Sequence, residues 1–246
     1  MRFYAIGDVH GQRGMLEAAH ERIMKDRKAI GDTNAPVVHL GDLVDRGPDS
    51  KGVIDLLLEG RERGEPWLIV RGNHDAMFGD FLGTTADPDD ALRKGLTWLN
   101  ARVGGDATLA SYGIRTGGFR SRRAVLQDAR EAIPDAHRRF LDSLPYFHAT
   151  PEVLFVHAGI RPGVPVTLQD PTDLMWIRDE FLYDTRDHGP LIVHGHTPVD
   201  DPQNCGNRVN LDTGAGFGRR LTAAVFEGRE CWVLTEAGRQ PLPPPH

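Results

Sequence analysis

Aspartate and histidine residues recur in five short blocks of this sequence, and each block follows a run of apolar residues. The blocks offer carboxylates, imidazoles and one amide, but no thiolate. They are Gly7-Asp8-Val9-His10-Gly11, Gly41-Asp42-Leu43-Val44-Asp45-Arg46-Gly47, Gly72-Asn73-His74-Asp75, His157-Ala158-Gly159 and His194-Gly195-His196-Thr197. These ligand types favour divalent manganese, zinc or iron in a reactive site over a structural zinc site.

The number of candidate ligands indicates two metal ions. Three early blocks with Asp or His and two late histidines are too many for one ion that keeps an open coordination position. Two ions that share a carboxylate fit better, at a separation of about 3.5–4 Å as in two-metal hydrolases. The residue types alone therefore point to metal-assisted hydrolysis.

A predicted β-strand precedes each block, so the fold must bring the ends of these strands together. The predicted strands cover residues 3–6, 37–40, 67–70, 153–156 and 191–193. Predicted helices at about 13–29 and from 50 to near 64 separate the first three strands, and this βαβαβ order favours parallel pairing. Because ligands bind at the carboxyl ends of parallel strands, we expect the five blocks to share one edge.

The remaining segments predict one α/β domain over residues 1–246 with a mainly helical insertion at about 76–145. Within the insertion, Asp87-Pro88 predicts a helix start before Leu92, Leu96 and Leu99, and Pro134 predicts another. Strands return after Tyr146. The last three predicted strands, separated by Gly-rich turns, look antiparallel and cover residues 208–211, 221–226 and 231–234.

Composition and charge exclude several classes of protein. A hydrophobic fraction of 39% and a charged fraction of 26% are those of a globular chain. The net charge of −6 argues against bulk nucleic-acid binding. The longest stretch without a charged residue, 188–199, is too short for a membrane span, which needs roughly 20 apolar residues. With an early Asp8 and only two cysteines, we expect a cytosolic protein without a disulfide framework.

Taken in order, the five blocks resemble the metallophosphoesterases, in the branch of phosphoprotein phosphatases (PPP) and close to its bacterial members. The family pattern is G-D-x-H-G, G-D-x-V-D-R-G, G-N-H-[E/D], then a late H-[G/A]-G and G-H. The resemblance spans residues 5 to about 215. It implies a calcineurin-like fold, an αββα sandwich of two mixed sheets, and two divalent metal ions. Manganese is the expected metal, with zinc or iron as alternatives.

The resemblance also implies which residues hold the metals. The first ion takes Asp8 and His10, the second takes Asn73, His157 and His196, and Asp42 bridges the two. Two dications with two carboxylates and one bridging hydroxide leave a net positive site, which attracts phosphate and acidifies the bridging water. Pro198 stands where other family members carry a further histidine for the first metal, so that ion has fewer protein ligands. His194 is expected to line the pocket instead.

Other positions match residues that handle the substrate. His74 resembles the acid that protonates the leaving group, and Asp45 resembles the residue that holds and charges its imidazole. Arg46 resembles a phosphate clamp, Asn73 also faces the substrate, and Arg178 of the W-x-R segment is a second clamp. A further basic cluster at 115–123 is more typical of a solvated loop than of a substrate patch.

These expectations favour a phosphomonoesterase that attacks phosphoserine, phosphothreonine or other phosphate esters with a metal-bridging hydroxide. Its partners would be a phosphorylated protein or a small phosphate ester, with no membrane. The alternative enzyme is a symmetrical bis(5'-nucleosyl)-tetraphosphatase (diadenosine tetraphosphate hydrolase), a close relative that shares G-N-H-D but usually has Ala at the place of Asp45. An inactive metal-binding protein is a third possibility, and the intact ligand set argues against it.

Overall fold

The computed structural model describes residues 1–83, 89–90 and 92–245. Its strands are β1 Arg2–Ile6, β2 Val37–His39, β3 Trp67–Ile69, β4 Phe147–Ala149, β5 Val153–Val156, β6 Leu191–His194, β7 Gln203–Asn204, β8 Arg208–Asn210, β9 Ala223–Glu227, β10 Glu230–Thr235 and β11 Gly238–Pro241. Its α-helices are α1 Arg13–Ile30, α2 Ser50–Glu62, α3 Asn73–Leu82, α4 Gly105–Ser111, α5 Arg122–Ala132, α6 Asp135–Asp142, α7 Pro171–Trp176 and α8 Asp179–Leu182. Short 3-10 helices cover Val166–Leu168 and Ala215–Phe217.

The strands form two mixed sheets. The first has the order β11-β10-β9-β1-β2-β3, and its β1, β2 and β3 are parallel, as the βαβαβ pattern predicts. The second has the order β4-β5-β6-β8-β7, with β5, β6 and β8 parallel. Antiparallel strands lie at one edge of the first sheet, β11, and at both edges of the second, β4 and β7. The predicted sandwich of two mixed sheets is therefore confirmed.

Side-chain alternation along the strands builds the layers. On β1, Phe3 and Ala5 face the second sheet and join Phe155 in the core between the sheets. Tyr4 and Ile6 point the other way, into the cluster formed with α1, α2 and the helices α3 to α6. On the far side, Leu154 of β5 packs against α7 and α8. Successive side chains of a strand point to opposite faces of the sheet, so each central strand contributes side chains to two cores. This gives the αββα arrangement.

One expectation about connectivity was wrong. The strand predicted at 208–211 belongs to the second sheet, where β8 pairs parallel with β6, while only β9, β10 and β11 form the antiparallel run. Turn residues mark where a strand ends, but they do not select its partner.

The helix start at Asp87-Pro88 lies outside the described residues. From 92 to 104 the described chain forms turns and no α-helix, and Gly95 has a left-handed φ of 88° that interrupts any helix there.

In the part of the chain that the structure describes, no helix is both long and apolar enough to cross a membrane.

A buried pair of histidines between α1 and β2 predicts acid sensitivity of the fold. His20 Nε2 lies 2.9 Å from His39 Nε2, and the His20 ring stacks on Trp67. Burial, followed by repulsion from His39, lowers the pKa of His20 to about 2, and burial lowers that of His39 to about 4. An unfolded histidine titrates near 6.5, so the unfolded chain takes up more protons as the pH falls below about 6.5, and stability falls with it.

We expect wild-type protein to lose about 2 kcal/mol more stability than His20→Gln between pH 7.5 and pH 5, because the variant lacks this titrating group. Urea unfolding of the metal-free proteins at the two pH values measures the difference. Equal losses in both proteins would show that His20 is not held neutral in the folded state.

Candidate dimetal centre

The sequence blocks meet where the carboxyl ends of β1, β2, β3, β5 and β6 converge. Asp8 and His10 follow β1, Asp42 follows β2, and Asn73 begins α3 just beyond β3. His157 follows β5 and His196 follows β6. These six side chains lie together in the interior, where every one of them is buried. The structure thus brings together, from the two sheets, the residues that the sequence predicts as metal ligands.

The backbone at this centre is held in an unfavourable conformation. Positive φ angles occur at five non-glycine residues of the described chain, and all five lie in the predicted site. They are His10 at 46°, Asp42 at 47°, Asp45 at 72°, Arg46 at 67° and His196 at 66°. Such angles cost on the order of 1–3 kcal/mol each and persist only where the surroundings enforce them, most often at functional sites.

Two glycines allow the strand ends to approach closely. A Cβ atom added at Gly72 would lie 2.3 Å from Asp42 Oδ1, and one added at Gly195 would lie 1.9 Å from Asp8 Oδ1. Any side chain at either position would displace a carboxylate that the site uses. The glycines of the blocks therefore make room for the ligands themselves, in addition to permitting the turn.

On the second-metal side of the centre, oxygen and nitrogen atoms with lone pairs lie close together. Asn73 Oδ1 lies 2.9 Å from His157 Nε2 and 2.9 Å from His196 Nδ1. Asp42 Oδ1 lies 3.4 Å from the same His157 nitrogen. His157 Nδ1 donates to the backbone oxygen of Leu40 at 2.8 Å, which leaves Nε2 as a lone pair directed at Asn73. Acceptor atoms gathered this closely repel one another unless a cation lies among them.

The first-metal side also brings ring nitrogens and carboxylate oxygens together. His10 Nδ1 donates to the Val44 backbone oxygen at 2.8 Å, so its Nε2 lone pair faces Asp42 Oδ2 at 3.4 Å. Asp8 accepts the His196 backbone N–H through Oδ2 at 3.0 Å, while its buried Oδ1 has no hydrogen-bond partner. His74 also approaches, with Nε2 at 4.0 Å from Asp42 Oδ2. Two ligand groups result, His10–Asp42–His74 and Asp42–His157–His196, and Asp42 belongs to both.

The electrostatics of these residues fit divalent cations. Burial lowers the pKa of His10, His157 and His196, so their imidazoles are neutral and able to coordinate. Burial acts to raise the pKa of Asp42, but interaction with the neighbouring histidines, His157 first, lowers it overall and favours the ionised carboxylate. Burial, together with the negative charges of Asp212 and Asp42, raises the pKa of Asp8. His196 Nε2, like Asp8 Oδ1, is a buried polar atom without a partner. The donor set therefore suits two metal ions that share Asp42.

His74 and Asp45 form a dyad beside the ligand groups. His74 Nδ1 donates to Asp45 Oδ2 at 2.7 Å, and the other ring nitrogen faces the site. The Asp45 carboxylate also accepts from Trp98 Nε1 at 2.9 Å and from Thr108 Oγ1 at 2.6 Å. A fully buried carboxylate held by three donors fixes the orientation and tautomer of the imidazole.

Arg46 lies across the opening of the first-metal side. Its Nη1 lies 2.5 Å from His10 Nε2, and its Nη2 lies 2.9 Å from His74 Nε2. The guanidinium therefore donates to both ring nitrogens and lies between the predicted ligand and the predicted acid. Arg178 is exposed, and its charge helps to lower the pKa of His157 and of His196, after burial and other nearby groups. Both arginines thus act on the same centre.

We expect Arg46→Ala to weaken inhibition by inorganic phosphate and to lower kcat/KM, with both metals retained. Losing a charge-assisted bidentate contact costs about 2–5 kcal/mol, or roughly 30- to 5,000-fold in affinity. Phosphate inhibition constants and metal content of wild type and variant measure the two effects separately. An unchanged inhibition constant would remove Arg46 from the phosphate site.

Sequence reasoning missed several residues at this centre. Asp212, after β8, is a buried carboxylate near Asp8, and burial first, with Asp42 contributing, raises its pKa to about 6. Trp98 and Thr108 hold Asp45 from the insertion. Phe217 lies over Arg46. The partial signal available was the Asp212-Thr213-Gly214 segment, whose polar and glycine residues follow a strand as in the other blocks.

Two weaker expectations concern residues around the centre. His194 is fully buried against Phe181, with Nδ1 at 3.1 Å from the Gly195 backbone oxygen, and it belongs to neither ligand group. In the basic cluster at 115–123, Arg120 binds Asp128 at 2.6 Å and the Arg115 backbone oxygen at 3.0 Å. These contacts tie that arginine to its own surface segment, which favours the solvated loop.

Comparisons with known proteins agree with this geometry. The asymmetrical bis(5'-nucleosyl)-tetraphosphatase PrpE of Oceanobacillus iheyensis is 28% identical over 265 residues, covering 98% of this chain and 94% of that protein. A crystal structure provisionally assigned as a diadenosine tetraphosphatase superposes with a TM-score of 0.61 at 24% identity, covering 94% of this chain and 92% of that one.

A cold-active protein-tyrosine phosphatase from a psychrophilic Shewanella species has a TM-score of 0.62 at 16% identity, with 98% of this chain and 80% of that one covered. At these identities the two solved structures share the fold alone. The sequence profile of the calcineurin-like phosphoesterases matches residues 1–219, which is most of the sequence. The chain therefore belongs to the calcineurin-like phosphoesterase family.

Proposed function

We propose that the protein is a dimetal-dependent phosphatase that hydrolyses phosphate monoesters such as phosphoserine and phosphothreonine. The observation that carries this proposal is the His74–Asp45 dyad, whose second ring nitrogen faces Arg46 and the shared ligand Asp42. A serine or threonine alkoxide is a poor leaving group and needs a proton as the ester bond breaks. An imidazole held and charged by a buried carboxylate is suited to deliver that proton.

Each remaining side chain has a defined task in this proposal. Asp8, His10, Asp42, Asn73, His157 and His196 would hold two divalent ions, which we propose to be manganese. When bound, such ions neutralise phosphate charge and acidify a water molecule for attack on phosphorus. Arg46 and Arg178 bind phosphate oxygens and orient the ester, and His74 holds its proton at Nε2, facing the leaving oxygen. The deep burial of the ligands limits competing water.

A second candidate is hydrolysis of dinucleoside tetraphosphates. It is supported by the PrpE relatives, which match almost the whole chain and are named as asymmetrical bis(5'-nucleosyl)-tetraphosphatases. The sequence alone suggested the symmetrical enzyme as the alternative. Cleavage at a phosphoanhydride releases a nucleotide phosphate that leaves without a proton, so this activity depends much less on His74. The presence of a complete dyad is the reason to rank the monoesterase first.

The deciding experiment compares kcat/KM for a phosphoserine peptide and for diadenosine tetraphosphate, with manganese supplied. We expect the phosphopeptide to be the better substrate. If the dinucleotide is preferred, its products distinguish the two cleavage modes, because AMP with ATP marks the asymmetrical mode and ADP alone the symmetrical one. Such a preference would replace the monoesterase proposal by the second candidate. Repeating the assay with zinc and iron(II) tests the choice of manganese.

We also propose that the enzyme acts in the cytosol on phosphorylated proteins or small phosphate esters. Both of its cysteines are free, Cys205 exposed and Cys231 buried, as is usual where thiols stay reduced. Separating a cell lysate into its compartments and detecting the protein in each fraction tests this location. Recovery outside the cytosolic fraction would contradict it.

A further inference from the structure

An exposed aromatic ring stands at the mouth of the candidate centre. Phe217 is 59% exposed, so its ring presents apolar surface to solvent. Its ring lies over the guanidinium of Arg46, with the guanidinium carbon 4.7 Å from the ring centroid. This residue belongs to neither ligand group and to neither part of the dyad, so the proposed phosphatase chemistry leaves it without a task.

The segment that carries Phe217 is tied firmly to the centre. Gly216 packs on His10 so closely that an added Cβ would lie 2.6 Å from His10 Cδ2. Gln12 Nε2 donates to the Ala215 backbone oxygen at 3.2 Å, and the Gly214 N–H donates to Asp212 Oδ1 at 2.9 Å. The ring is therefore exposed on a well-anchored segment, next to a predicted ligand of the first metal. A flat apolar surface is therefore available beside the predicted first-metal ligand His10.

The surroundings of the Phe217 ring indicate a role in stacking. One side of it contacts a guanidinium that the proposed function assigns to phosphate, and much of the rest is open to solvent. A phosphate held by Arg46 places its ester substituent beside Phe217. A flat group in that substituent can stack on the ring, and aromatic pairs of this type contribute about 0.5–1.5 kcal/mol, equivalent to roughly 2- to 13-fold in affinity.

We propose that Phe217 determines specificity by stacking on a planar ring in the substituent of the substrate phosphate. The contact favours a phosphate ester with a ring in its substituent, an aryl or nucleoside phosphate, whereas phosphoserine and phosphothreonine remain substrates that lack this contact. This inference rests on the proposed function, because it takes Arg46 as the phosphate clamp. It refines that function by adding a preference among phosphate esters, and it identifies a residue that the metal chemistry does not require.

The test uses two compounds that bind without being hydrolysed, phenylphosphonate and methylphosphonate. Both carry the phosphate-like group, and only the first carries a ring. Calorimetry on the manganese-loaded full chain gives Kd for each compound in wild type, Phe217→Ala, Phe217→Trp and Phe119→Ala. Phe119 is a control because it is another exposed phenylalanine, in the segment 115–123.

We expect wild type to prefer phenylphosphonate, and Phe217→Ala to reduce that preference by roughly 2- to 13-fold. Phe217→Trp should retain the preference, and Phe119→Ala should leave it unchanged. If Phe217→Ala weakens the binding of both compounds equally, the ring acts only by positioning Arg46, and the stacking proposal is wrong. It is also wrong if wild type shows no preference. Because no turnover is measured, absence of phosphatase activity would reject the proposed function without altering this result.

Discussion

Replacing Asp42 with asparagine should remove bound metal and nearly all turnover. Asp42 is the residue common to both ligand groups, with Oδ2 at 3.4 Å from His10 Nε2 and Oδ1 at 3.4 Å from His157 Nε2. One neutral amide cannot bridge two dications or offset their repulsion. Metal ions contribute several kcal/mol to reactions of this type, so we expect a loss of roughly 10²- to 10⁴-fold in kcat.

Metal content per chain and the shift in Tm on adding manganese measure binding independently of activity. Asp55→Asn is the matched control, because Asp55 is a carboxylate paired with Lys51 and His137, outside both ligand groups. The control should bind metal as wild type does. Two ions bound to Asp42→Asn, together with full activity, would contradict the assignment of Asp42 as the bridge.

The second large effect is expected for His74, and its size should depend on the leaving group. In His74→Asn the proton donor is lost while the six proposed metal ligands remain. A general acid contributes roughly 10²- to 10⁴-fold when the leaving group needs a proton. We expect a loss of that size with a phosphoserine peptide and a much smaller one with p-nitrophenyl phosphate, because nitrophenolate leaves readily without a proton. Asp45→Asn should also lose more activity with the phosphoserine peptide than with p-nitrophenyl phosphate, but this difference should be smaller.

Turnover of both substrates, with metal content measured alongside, checks this expectation. His137→Asn is a suitable control, because His137 is also a buried histidine paired with a carboxylate, 3.0 Å from Asp55, but lies outside both ligand groups. Since His74 Nε2 also approaches Asp42, metal loss in His74→Asn would make it a ligand instead of an acid. If His74→Asn retains its metals and loses turnover equally with both substrates, His74 does not act as the acid.

The two proposed functions, monoesterase and dinucleotide hydrolase, differ in how strongly they depend on the His74–Asp45 dyad. The contacts of Trp98 and Thr108 with Asp45 fix the carboxylate on which His74 depends. A dinucleotide hydrolase would make little use of that arrangement, because its leaving group is already stable as an anion. The size of the His74→Asn effect on diadenosine tetraphosphate, beside that on the phosphopeptide, therefore also helps to identify the natural substrate class.

Much of the fold and the ligand set could be predicted from the sequence, because the relevant information is local. Each ligand block directly follows a short apolar strand, and parallel strands separated by helices must end at the same edge. The positions of Asp8, Asp42 and Asn73 at the ends of β1, β2 and β3 follow from this rule. The helical predictions were weakest in the insertion, where the described turns from 92 to 104 follow tertiary packing instead of periodicity.

By itself, the sequence determined the residue types of the centre, their order on the strands and the chemistry they can support. Tertiary structure alone decided which distant groups meet: Trp98 and Thr108 reach Asp45 from 53 and 63 residues away, and Phe217 reaches Arg46 from the other end of the chain. It also decided that β8 joins β6, which brings Asp212 near Asp8. The physical reason is that hydrophobic period and turn residues specify an element and its faces, whereas its partners are selected by packing among all the elements at once.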